Sequence, residues 1–183
     1  MNSGKRWLIV ASSLCAAICT ESTYAADFST ETMLGLDDRS GSGLYSMNEF
    51  SLDVYGFGAS RDKGGNSTTT WGPGVGANYF FTKTLGIGAD SSADAFEVPY
   101  MLNGSGIYRY PFNDSGFAAY GFGGFGRQWK YSPQWLGHIG VGGEYRCTWS
   151  GYVGSVFADI REEFPAETKD YTVVRFGFRL KFK

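Results

Sequence analysis

Histidine chemistry in this chain has a single carrier, His138. A nucleophilic triad needs that imidazole beside a hydroxyl or thiol, with a carboxylate to orient it. The run around it, Trp135 to Arg146, alternates in residue type. Alternation at a period of two sets His138, Gly140, Gly142, Glu144 and Arg146 on one side of a strand, and Trp135, Ile139, Val141 and Tyr145 on the other. No triad geometry emerges, and the expectation is a histidine hydrogen-bonded to a neighbouring carboxylate. Metal binding has equally little to work with: one histidine, one cysteine after residue 25 (Cys147), and no clustered ligand spacing. The acidic residues within Ser91 to Glu97 and Glu162 to Asp170 read as solvated loop charge. Gly121 to Gly126 has glycine spacing like a nucleotide loop but lacks the Lys-Ser/Thr that follows one. No cofactor is expected. Four further charges stand out, Glu144, Asp159, Arg175 and Arg179, because each falls among large apolar residues on three successive segments. They are expected to form a network inside the fold, since an unpaired buried charge is costly.

The elements that carry these charges are strands. From Thr172 to Phe182 one parity holds Thr172, Val174, Phe176, Phe178, Leu180 and Phe182, and the other holds Val173, Arg175, Gly177, Arg179 and Lys181. Tyr152, Gly154, Val156, Ala158 and Ile160 alternate in the same way with Val153, Ser155, Phe157, Asp159 and Arg161. Ala118, Tyr120 and Phe122 flank Gly121 and Gly123; Leu102, Tyr108 and Tyr110 oppose Asn103, Ser105 and Arg109; Leu85, Ile87 and Ala89 oppose Gly86, Gly88 and Asp90. Trp71, Val75, Ala77, Tyr79 and Phe81 oppose Gly72, Gly74, Gly76 and Asn78. In the first segment, Glu49 to Ser60, Phe50, Leu52 and Val54 fall on one face but Tyr55 and Phe57 on the other, so a bulge near Tyr55 is expected. That makes eight strands, each long enough for the roughly 9–11 residues of a tilted membrane strand.

The ends and the composition set the compartment. Lys5 and Arg6, the apolar stretch Trp7 to Cys19, and Thr23-Tyr24-Ala25 before Ala26 have the layout of a cleaved export signal, so residues 1–25 are expected to be removed. Removal takes away Lys5, Arg6 and Glu21, leaving 14 basic and 17 acidic residues. A net charge of −3 with no basic stripe argues against a nucleic-acid binder. Residues 26–48 are polar, with a flexible-linker composition at Arg39 to Gly43 and room for a short helix around Thr30 to Leu36. Residues 49–183 form the barrel. Its links alternate: short at Thr82-Lys83-Thr84, Asn113-Asp114-Ser115 and Thr148 to Ser150, longer and polar at Arg61 to Thr69, Ser91 to Pro99, Lys130 to Gln134 and Glu162 to Asp170. Bacterial barrels have short periplasmic turns and long external loops, and both chain ends in the periplasm give that arrangement.

Aromatic residues then fall at two heights. Tyr79, Phe81, Tyr110, Phe112, Phe117, Tyr145, Tyr152 and Phe182 lie near the periplasmic ends, and Trp71, Tyr100, Trp129 and Trp135 near the outer ends. Two such girdles are expected where a barrel meets two membrane–water interfaces. A chain with 27 glycines and 17% aromatics suits outer faces rich in rings and inner faces that are small or polar. Eight strands enclose a space just wide enough for side chains to fill it.

The segment Arg175-Phe176-Gly177-Phe178-Arg179-Leu180-Lys181-Phe182 resembles the C-terminal assembly signal of small outer-membrane β-barrels of the OmpA/OmpX type, and the likeness extends over Glu49 to Lys183. In that signal Arg175 is the polar position, Gly177 the glycine, Leu180 a hydrophobic position and Phe182 the terminal aromatic; here Lys183 follows it. The resemblance implies an eight-stranded antiparallel up-and-down transmembrane barrel, contact with outer-membrane lipids, recognition by the barrel-assembly machinery during insertion, and a structural or surface-interaction role through the external loops, with no extracellular partner named. Two other functions have sequence signatures. A lipid A- or phospholipid-modifying barrel enzyme would centre on His138; lipid A deacylases place a serine two residues after the histidine, where this chain has Gly140. A soluble lipocalin-like carrier would turn Val174, Phe176, Phe178 and Leu180 inward and Arg175, Arg179 and Lys181 out to water.

Overall fold

A computed structural model describes residues 44–63, 66–93, 101–112, 115–129, 133–149 and 152–182, with backbone alone for 61–63, 66–68 and 149. The expected signal at residues 1–25, the possible helix around Thr30 to Leu36, and Tyr100 lie outside them. Eight strands run in chain order: β1 (Glu49–Lys63), β2 (Asn66–Phe80), β3 (Leu85–Ser92), β4 (Met101–Pro111), β5 (Phe117–Gln128), β6 (Gln134–Trp149), β7 (Tyr152–Pro165) and β8 (Tyr171–Phe182). Each pairs antiparallel with the next, and β8 returns to β1, from Phe50 opposite Phe182 to Ser60 opposite Thr172, so the sheet closes. Closure removes both sheet edges, which in hydrocarbon would leave backbone groups unpaired.

The alternation that defined the strands also fixes their orientation. On β8, Val174, Phe176, Phe178, Leu180 and Phe182 are exposed, while Val173, Arg175 and Arg179 are buried. Phe178 is 67% exposed and Arg179 5%. The orientation required by a soluble carrier is therefore reversed. The same holds on β6, where Trp135, Ile139, Val141 and Tyr145 face out and Leu136, His138, Glu144 and Arg146 face in. An exterior so continuously apolar is at rest only in hydrocarbon.

The expected bulge and the bounds of three links are corrected. The strand pairing of β1 is continuous from Glu49 opposite Phe80 to Lys63 opposite Asn66, with no bulge at Tyr55. Tyr55 and Phe57 simply point inward with Ser51, Asp53 and Ala59. Their aromatic character had suggested the outer face, but a filled interior takes rings as readily as lipid does. The link expected over Arg61 to Thr69 is largely strand, because β1 and β2 stay paired up to a two-residue connection at 64–65. Likewise β7 continues to Pro165 and β6 to Trp149, so the links there shrink to 166–170 and 150–151.

The inner face is also less uniformly small and polar than expected. Phe57, Ala59, Met101, Leu136, Tyr171 and Val173 form an apolar cluster at the end opposite Glu49 and Phe182, continued inward by Tyr55 and Phe157. Tyr120 and Phe122 on β5 point inward as well, leaving Ala119, Gly121 and Gly123 outside. Inward glycines make this possible. A Cβ at Gly74 would run into the Tyr55 ring; at Gly142 it would meet Tyr120 Cζ at 2.7 Å, and at Gly140 Phe122 Cζ at 2.5 Å. Tyr55, Tyr120 and Phe122 thus each take a socket left by a glycine on a neighbouring strand.

Candidate functional site

The described part of the chain gathers its buried chemistry in the lumen, in two charged tiers below the apolar cluster. The tier at the end of the barrel where β1 starts and β8 finishes centres on Glu49. Arg109 donates to it from Nη1 at 2.9 Å, and Arg146 donates from Nη1 and Nη2 at 2.8 and 2.6 Å. Glu144 shares both cations, 3.5 Å from Arg109 and 3.0 Å from Arg146, and accepts a further bond from Arg179. Arg179 in turn grips Asp53 through Nε and Nη2 at 2.7 and 2.8 Å, and Asn78 donates to the same carboxylate at 2.9 Å. This two-toothed geometry matches a planar guanidinium to a planar carboxylate.

The second tier lies nearer the middle. Arg175 on β8 donates from Nε and Nη2 to Asp159 on β7, 2.8 and 3.0 Å, and those two residues face each other in the strand register. Tyr120 donates its hydroxyl to Asp159 at 2.9 Å. Arg175 also lies 3.3 Å from Asp90, which accepts from Arg161 Nη1 at 3.0 Å and from the Tyr55 hydroxyl at 3.0 Å. Arg161 reaches Glu163 at 2.7 Å. Guanidinium groups also stack on rings, Arg175 over Tyr55 and Arg179 over Phe157, each at 5.1 Å. In a low-dielectric interior such contacts are stronger than in water, and only a fully partnered set avoids a large desolvation penalty.

The four charges singled out in the sequence come together here, Arg175 with Asp159 and Arg179 with Glu144. The sequence reading missed Glu49, Asp53, Asp90 and Glu163 as partners. Asp90, Arg109, Arg146 and Arg161 had been placed on inner faces by parity, and that signal extends naturally to the others. What parity does not reveal is which of them meet across the lumen.

His138 is buried, as its parity required, but its partner is not a carboxylate. Its Nε2 lies 2.8 Å from Ser105 Oγ on β4, and Nδ1 has no hydrogen-bond partner among the described residues. Glu144 is instead committed to three arginines. A serine–histidine pair alone lacks the orienting acid and oxyanion donors of a hydrolase. No group of three or more histidine, cysteine or acidic side chains among the described residues is arranged to hold a metal.

On the outside, Trp71, Trp129 and Trp135 lie at one end of the barrel and Tyr79, Phe81, Tyr110, Tyr145, Tyr152 and Phe182 at the other, all exposed. The lower set includes ring contacts, Tyr79 with Phe81 and Tyr110 with Phe112 both at 5.2 Å, and Phe50 with Phe182 at 6.1 Å. Trp135 carries Arg127 over its ring at 5.5 Å, a cation at the rim where headgroups begin. In the terminal segment Leu180 and Phe182 face out, Arg175 faces in, and Gly177 leaves room for the Tyr55 Cβ, which a side chain there would meet at 2.6 Å.

No family profile and no curated protein matches this sequence. Solved structures do match. The N-terminal barrel domain of Pseudomonas aeruginosa OprF is 17% identical with a TM-score of 0.52, over 75% of this chain and 99% of that one. Neisserial surface protein A is 16% identical with a TM-score of 0.54, over 73% and 97%. Ail, the attachment invasion locus protein of Yersinia pestis, is 13% identical with a TM-score of 0.54, over 74% and 99%. The fold is that of the small outer-membrane barrels. With its lipid-facing exterior, the chain is an eight-stranded transmembrane barrel of that kind.

Proposed function

We propose that this protein is a non-enzymatic outer-membrane barrel whose lumen is packed shut and whose interactions are carried by the links at its outer end. The observation that supports this reading is the stacking of three layers of inward side chains along the axis. Two are the charge tiers of Glu49 and of Asp90; the third is the apolar cluster of Phe57, Met101, Leu136, Tyr171 and Val173. An ion entering from outside would have to part the apolar layer and then compete with guanidinium–carboxylate pairs already formed. Packed side chains in eight-stranded barrels serve the scaffold, and variable links on a rigid scaffold carry recognition. The export signal at residues 1–25, contact with outer-membrane lipids through the exterior band, and handover by the barrel-assembly machinery through Arg175 to Phe182 belong to the same reading.

Purified protein in planar lipid bilayers is expected to give no discrete conductance steps. Stable unitary currents with reproducible ion selectivity would sink the packed-lumen reading. Among the described residues, the Ser105–His138 contact is the one feature favouring an enzyme. His138→Ala in the intact cell is expected to leave lipid A and phospholipid composition unchanged, and an altered lipid profile would overturn the non-enzymatic part.

A further inference from the structure

The short segment Leu44 to Asn48 lies ahead of β1, yet it is bound to the barrel by side chains from four strands, β1, β2, β6 and β8. The Leu44 carbonyl accepts from Arg146 Nη1 at 2.7 Å and from Lys181 Nζ at 3.0 Å. The Ser46 amide donates to Glu49 Oε2 at 3.3 Å, and Asn48, in the left-handed region at φ 52°, accepts from the Tyr79 hydroxyl at 3.2 Å. These contacts turn the chain back over the periplasmic mouth. Tyr45 is set into that mouth, 6% exposed. Its hydroxyl donates to the Gly116 carbonyl in the β4–β5 turn at 2.8 Å. Its ring lies 4.2 Å from the Arg146 guanidinium and 4.8 Å from that of Arg109, the two cations that hold Glu49. Gly116 has φ +71°, and a Cβ there would meet the Arg146 carbonyl at 2.7 Å, so the turn is shaped for close approach.

A hydrogen-bonded tyrosine stacked on two buried guanidiniums does more than fill space. It covers the last charged tier with an apolar ring, and its burial lifts the hydroxyl above the usual phenol range, keeping it a neutral donor. We propose that Leu44 to Asn48 is a periplasmic stopper, a strap whose Tyr45 ring excludes water from the lower half of the lumen. It adds a fourth closure to the packed-lumen reading and rests on that reading only for the upper half.

Cysteine accessibility tests it, in detergent-folded protein with the exposed Cys147 replaced by serine. Ser51 lies inside the barrel just above Glu49, and Ser92 lies near the outer end; both are buried and inward. Ser51→Cys is expected to resist a water-soluble cationic methanethiosulfonate in the otherwise native chain. Adding Tyr45→Ala should raise its modification rate at least tenfold, while Tyr45→Phe, which keeps the ring, should stay within about threefold of the native strap. Heat-modifiable gel migration confirms that each variant remains folded. If Tyr45→Ala is folded and Ser51→Cys still resists, or if Ser51→Cys reacts freely with the native strap, the stopper is wrong. Ser92→Cys separates the two ideas: rapid labelling there under the native strap defeats the packed outer half and leaves the Ser51 comparison to judge the strap alone.

Discussion

Replacing Asp159 with alanine tests the charge network at its best-defined pair. The carboxylate accepts two bonds from Arg175, at 2.8 and 3.0 Å, and one from the Tyr120 hydroxyl at 2.9 Å. Bonds to charged groups contribute about 1.5–3 kcal/mol each, so the two to Arg175 are worth roughly 3–6 kcal/mol and the tyrosine bond about as much as one of them. Arg175 keeps Asp90 at 3.3 Å, which returns part of the loss. Removing one member of a buried pair typically costs about 3–5 kcal/mol, and with that compensation we expect about 4 kcal/mol here. The assay is urea-dependent folding into lipid vesicles, followed by heat-modifiable migration and tryptophan fluorescence. Asp159→Ala/Arg175→Ala should cost about 2 kcal/mol less than the sum of the single changes, because the second removes the charge the first strands. Raising ionic strength should leave the native stability nearly unchanged, since mobile ions do not screen buried pairs well. A single-substitution cost under about 1 kcal/mol, or strict additivity, would refute a tightly coupled network.

Gly74→Ala should destabilise the barrel by about 1–3 kcal/mol, through the collision with the Tyr55 ring, and Tyr55→Ala in the same chain should recover part of the loss; lack of any recovery in the urea midpoint would contradict the socket. Spin labels at Phe178 and Arg179 should report opposite environments, the first quenched by a lipid-soluble relaxer and the second shielded from it. His138→Ala should lower folding stability by about 1 kcal/mol, the worth of its one neutral hydrogen bond to Ser105, measured in the same urea titration.

The fold was legible because the side-chain period of a strand is two and a membrane barrel presents two sharply different environments to it. Phe178 and Arg179 announce those environments in adjacent residues, and the even number of such segments leads to closure. The first strand misled for a physical reason: Gly74 and Gly177 yield space for Tyr55 inside the lumen and Phe57 joins the buried apolar cluster there, so aromatic character does not identify the outer side. Strand length was underread at Arg61 to Thr69, where polar residues form a paired ribbon beyond the apolar band. The partners of the charges were the least legible part. Asp159 and Arg175 oppose each other on neighbouring strands, a relation local enough to anticipate. Asp90 on β3 meets Arg161 on β7 because the sheet is rolled and sheared, and no window of sequence carries that information. Tyr45 sits outside every alternating segment, so its anchoring depends on three-dimensional contacts alone.

The position of Arg175 and Arg179 on the final strand has a consequence for biogenesis. Between them these two side chains reach Asp53, Asp90, Glu144 and Asp159, contributed by four earlier strands, and the Arg179–Asp53 bond spans 126 residues. A chain arrested before β8 would leave Asp53 and Asp159 without their arginines, and Asp90 and Glu144 with only the share that Arg161, Arg109 and Arg146 provide, facing a half-formed interior that cannot hydrate them once lipid surrounds it. Electroneutrality in the lumen therefore arrives only with β8, and a barrel lacking that strand is penalised for entering the bilayer.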